Sequence, residues 1–120
     1  MLVLGPDSRV PGPPADALAP IRRRFLDAVE SHIFELALLR REAEEPAGRQ
    51  QALAGIAMIA HRVAGVAATL GFRPLGEAAA ELDQKLSLGL KSGTPDVREF
   101  DTAVARFHAA LHDARTGKAG

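Results

Sequence analysis

From residue 17 onward, apolar positions recur at spacings of three and four, the period of an α-helix facing a core on one side. Four such segments follow one another. In the first, over 17–45, Leu18, Ile21, Phe25, Ala28, Val29, His32, Leu36, Leu39 and Ala43 form one stripe. Pro20 is a candidate break that would leave a short leading helix before Ile21. Pro46, Ala47 and Gly48 end the segment. The second helix is expected over 49–70 and stops at Gly71, where glycine suits a left-handed cap. Pro74 falls at a first helical position and opens a third helix over 74–90, with Leu75, Ala78, Ala79, Leu82 and Leu86 as its stripe. Ser92 and Gly93 turn the chain, Thr94 caps and Pro95 opens the fourth helix, over 95–114. Its apolar face is Val97, Phe100, Val104, Phe107 and Leu111. Four amphipathic helices with short connections predict an all-α, antiparallel up-down four-helix bundle, with room for a short extra N-terminal helix or an arm.

The flanks lack this pattern. Residues 1–16 hold four of the eight prolines and read as a flexible or extended arm. The bundle is assigned to 17–115, and 116–120 is expected to be a disordered tail. Composition narrows the partners. Basic and acidic side chains number 15 each, so there is no surplus of positive charge for a phosphate backbone, and nucleic acid is not an expected partner. Cysteine is absent, which excludes disulfides, thiol catalysis and cysteine-ligated zinc. No apolar run reaches the roughly 20 residues of a membrane span. The apolar start at residues 1–4 lacks a basic leader and meets Gly5 and Pro6, a poor signal peptide. A cytoplasmic protein is expected.

The second helix carries the candidate chemistry. With His61 at zero on a helical wheel, Ile56, Ile59, Val63, Val66 and Leu70 fall within about 40° of the opposite pole. His61 therefore points away from the core. Around it stand Ala54, Ala57, Ala64, Gly65 and Ala68, with Met58, Arg62 and Thr69 further out. Long polar side chains normally fill such a face. A field of small residues suits either the backbone of a docking partner or a close helix–helix contact. Gly65 sharpens the question, because mid-helix glycine costs about 1 kcal/mol relative to alanine. Open space one turn beyond His61 would explain it.

The stretch IAHRVAGVAATLGF at 59–72 resembles the signature of histidine-containing phosphotransfer (HPt) domains, in which the accepting histidine is followed by an apolar residue at +2 and glycines at +4 and +10. Val63, Gly65 and Gly71 occupy those places, and the likeness runs on through Leu75, Ala79, Leu82 and Asp83. It implies a phosphorelay protein in which His61 accepts a phosphoryl group from the aspartate of one receiver domain and passes it to another. An imidazole with its ordinary pKa of about 6.5 is nucleophilic at neutral pH. The implied partners are receiver (response-regulator) domains, with a hybrid histidine kinase as a further candidate. No cofactor of the chain's own is implied, since the partner receiver would bring Mg²⁺. The sequence has no Gly-rich phosphate loop and no ATP-binding pattern, so a phosphocarrier is expected and not a kinase.

One position departs from the family. The lysine usual at +3 is Ala64 here. Stabilising a phosphoryl group of nearly two negative charges would then fall to Arg62 or to Lys85 on the third helix. Asp83 stands where relatives carry a Glu or Gln able to hydrogen-bond the imidazole. For docking, Phe34 and Leu38 lie off the core stripe of the first helix and, with Met58, Ala57, Ala64 and Ala68, form a candidate receiver patch. The proline-rich arm or a twin subunit could cover the same residues. The missing lysine also leaves open a different class of function: an adaptor that binds a receiver or kinase without being phosphorylated. His108 and His112 have the i, i+4 spacing of a metal clip, but no Glu-x-x-His pair accompanies them and no metal site is expected.

Overall fold

The four predicted stripes fold into four helices that bury them. The computed structural model describes residues 15–93 and 97–117. Helix α1 spans Ala15–Glu42, α2 Arg49–Ala67, α3 Arg73–Lys91 and α4 Val97–Thr116, with one 3₁₀ turn at Pro46–Gly48 between the first two. Each helix packs on two neighbours: α2 against α1 and α3, and α4 against α1 and α3. That closes the predicted up-down bundle. No described helix is long and apolar enough to cross a membrane.

The core is drawn from all four stripes. Val29 and Leu36 of α1, Leu53, Ile56 and Val63 of α2, Leu75, Leu82 and Leu86 of α3, and Phe107 and Leu111 of α4 are almost wholly withdrawn from solvent. Truncating any of these leucines to alanine removes about 2–5 kcal/mol. No polar or charged residue is buried among the described residues. Specificity of packing therefore rests on shape. The Phe100 ring lies where a Cβ on Gly89 would go, and this lets α4 start close against the end of α3.

Several boundaries and faces differ from the sequence reading. Helix α1 begins at Ala15 and runs through Pro20 without a break. Proline forfeits one backbone hydrogen bond there, near an end whose first N–H groups have no helical partner in any case. The α1 stripe reaches its N-terminal turns only in part: Ile21 is exposed, because α1 outruns the helices it packs on. Helix α2 closes at Ala67 and not at 70. Leu70 N–H reaches the carbonyls of Val66 and Ala67, and Phe72 N–H reaches Ala67 O at 2.8 Å. Gly71 then takes φ of 91°, the left-handed cap its position predicts. Val66, assigned to the core, is 42% exposed. Thr94, Pro95, residues 1–14 of the arm expected over 1–16 and residues 118–120 lie outside the described residues, whereas Ala15 and Asp16 open α1 and Thr116 ends α4.

The buried face of α2 is turned towards α3. Ala60 and Ala67, on that side of the wheel, are fully buried. A Cβ on Gly76 would stand 3.3 Å from the backbone nitrogen of Ala68. Small residues on both helices thus let the two backbones approach closely.

Candidate functional site

Antiparallel register sets the site. Gly76 of α3 lies against Ala68, the residue that caps α2. Seven residues back along α2 and seven forward along α3, two turns in each helix, bring His61 level with Asp83. Their side chains meet: His61 Nδ1 is 2.9 Å from Asp83 Oδ2. The imidazole is 78% exposed and the carboxylate 26%. An ionised carboxylate only accepts hydrogen bonds, so Nδ1 carries the proton and donates it. Nε2 is left with its lone pair facing solvent. The hydroxyl of Ser87, one turn along α3, donates to the other oxygen, Asp83 Oδ1, at 3.4 Å. Ser87 belongs to the site although sequence reasoning passed over it; its i+4 spacing from Asp83 was the available signal.

Around the ring the small residues divide. Ala57 and Ala64 are half-buried and pack on the core, where they serve the α2–α3 contact. Ala54 and Ala68 are exposed. Gly65 differs from all of them. A Cβ there would meet nothing within 4 Å, so no described residue requires the glycine.

The candidate cations separate as well. Lys85 Nζ is 3.4 Å from Glu81 Oε2, and Arg106 of α4 binds the same carboxylate, so Lys85 belongs to an α3–α4 ion network. Arg62 Nη2 donates to the thioether of Met58 at 3.5 Å. Leu39 of α1 lies against Gly55 of α2. Seven residues along each helix from there stand His32 and Arg62, again at one level. His32 is half-buried, and its Nδ1 is buried without a hydrogen-bond partner among the described residues. Burial lowers its pKa most, Glu35 opposes that, and the charge of Arg62 lowers it further.

On the α1 side, Phe34 is 69% and Met58 56% exposed, with Leu38 and Val66 also open to solvent. Met58, Arg62 and Val66 follow one edge of α2 towards α1, about 60° to 140° round the helix from His61. Val66 therefore extends the apolar face that the sequence assigned to Phe34, Leu38 and Met58.

His108 and His112 lie with ring centroids 4.9 Å apart and planes tilted by 49° on the α4 wall facing α1. Arg40 Nη1 of α1 is 3.3 Å from His108 Nδ1. Burial, then His112, then Arg40 lower the pKa of His108. Among the described residues no group of three or more metal-ligating side chains forms.

The family model of the Hpt domain matches residues 20–117, nearly the whole chain. Neither a curated protein nor a solved structure gives a significant match. A four-helix bundle that presents an oriented, solvent-facing imidazole from its second helix agrees with that match, and the chain belongs to the Hpt domain family, whose members carry phosphoryl groups on histidine in two-component phosphorelays.

Proposed function

We propose that this protein relays a phosphoryl group between receiver-domain aspartates through Nε2 of His61. The observation that carries the reading is the His61–Asp83 hydrogen bond, which leaves Nε2 unprotonated and outward. In the first step the Nε2 lone pair attacks phosphorus and the P–O bond to the receiver carboxylate breaks. That carboxylate leaves with the electron pair. The ring gains positive charge as the N–P bond forms, and Asp83, holding the Nδ1 proton, balances it. The reverse step hands the group to a second receiver. The receiver's own acidic pocket and Mg²⁺ supply the remaining charge neutralisation.

Docking is assigned to the apolar edge of Phe34, Leu38, Met58 and Val66, with Gly65 leaving room for the receiver's backbone beside the ring. The experiment is incubation with phosphorylated receivers, comparing wild type with His61→Gln. Acid-labile label on wild type alone is expected. Binding to receivers without label on either protein would instead establish the adaptor, the reading that Ala64 keeps in view.

A further inference from the structure

We propose that Arg62 is the cation that receives the phosphoryl group on His61, swinging to it from a resting place on Met58. The proposal rests on the phosphocarrier reading and names a residue for it. A phosphoryl group brings nearly two negative charges to an exposed ring, and a nearby cation both speeds its arrival and holds it. Ala64 cannot serve. Lys85 shares Glu81 with Arg106. Arg22 stacks over Phe72 beside Gly71, and Arg73 opens α3; each is ten residues along its helix pair from His61 or Asp83, about 15 Å away.

Arg62 has neither problem. It is the next residue after His61, about 100° round the same helix, with a side chain long enough to reach back over the ring. It forms no ion pair among the described residues. Its hydrogen-bond acceptor, the Met58 sulfur, is weak and uncharged. Exchanging a thioether for phosphoryl oxygens replaces a poor acceptor by the strongest kind, which a guanidinium can bind through two parallel N–H groups. Met58 thus parks the arginine beside the nucleophile without competing for it.

The test uses phosphoramidate, a small donor that needs no cognate receiver: Nε2 attacks its phosphorus, the P–N bond breaks and ammonia departs. Phosphohistidine is followed by ³¹P NMR and acid lability. Arg62→Gln is expected to be labelled about five- to tenfold more slowly at low salt, with the gap closing as ionic strength rises. Arg62→Lys recovers part of the rate, and Ala64→Lys in the Arg62→Gln background recovers it by supplying a cation one turn along. Equal rates for wild type and Arg62→Gln, with His61→Gln unlabelled, overturn the role of Arg62 and leave the phosphocarrier standing. A slow variant that neither lysine rescues and salt does not affect overturns it too. Failure of wild type to take label from either phosphoramidate or receivers removes both.

Discussion

Two histidines on opposite walls of the bundle have opposite partners. On the α2–α3 wall, His61 meets the Asp83 carboxylate; on the α1–α4 wall, His108 meets the Arg40 guanidinium. A carboxylate accepts a hydrogen bond from Nδ1–H and leaves Nε2 with a lone pair. A guanidinium can only donate, so it occupies the Nδ1 lone pair of His108 and leaves the proton on Nε2. One ring is left with an outward lone pair, the nucleophile of the proposed relay. The other has its lone pair capped and spends its polarity on joining two helices. The same side chain becomes reactive or structural according to the charge beside it, which its helix register decides.

The most damaging way to test this contrast is to remove the carboxylate. Asp83→Ala frees the ring of His61 to rotate and lets either nitrogen carry the proton. Phosphotransfer from a receiver is expected to fall about 10- to 100-fold, by analogy with the loss of carboxylates that orient metal-bound imidazoles. Asp83→Asn retains an acceptor without the charge and should fall between the two. Stopped-flow or gel-based transfer rates measure this directly. Wild-type rates in Asp83→Ala would mean that the hydrogen bond is incidental.

A smaller effect separates chemistry from access. Gly65 faces open space, so Gly65→Ala is expected to raise stability by up to about 1 kcal/mol in thermal or urea unfolding. Gly65→Phe places a ring where a receiver would sit. It should reduce receiver-dependent labelling about tenfold or more while labelling by phosphoramidate stays near wild type. Equal losses with both donors would show that the aromatic side chain disturbs His61 itself and not docking.

Much of this was legible along the chain. The stripes Leu75, Leu82 and Leu86, or Phe100, Phe107 and Leu111, fix which faces turn inward, and all six residues are buried. His61 follows from the same periodicity, being about 180° from Ile59 and Val63. What periodicity cannot supply is the azimuth of a helix against two unequal neighbours. Helix α2 leans on α3 through Ala60 and Ala67, residues too small to announce a core, and so Val66 is left exposed. Partners across helices were equally hidden. That Arg106 of α4 joins Lys85 on Glu81, and that Arg40 of α1 meets His108, depends on register between helices separated in sequence. Pro20 misled for another reason: a proline near a helix start forfeits little.

The smallest expected effect concerns pH and the His108 wall. Burial, His112 and Arg40 all disfavour the imidazolium, so the folded-state pKa of His108 lies below the ordinary value of about 6.5. Between the two values the unfolded chain binds more protons than the folded one. Stability contributed by neutral His108 is therefore complete above the unfolded pKa and is lost as pH falls through that value towards the folded one. Protonation also ends the hydrogen bond, since an imidazolium has no lone pair for Arg40, and it places a second positive charge beside the Arg40 guanidinium. Nothing acidic within hydrogen-bond reach of His108 offsets this among the described residues. His32, also held low by burial, contributes in the same direction, so the two must be separated by substitution. Thermal melts of wild type from pH 7.5 to 5 should show a falling midpoint. Replacing His108 by glutamine, which keeps an acceptor for Arg40 but does not titrate, should flatten part of that slope while leaving phosphate labelling of His61 intact. An unchanged slope in His108→Gln would assign the acid sensitivity to His32, and the α1–α4 contact would then be indifferent to the charge its register brings together.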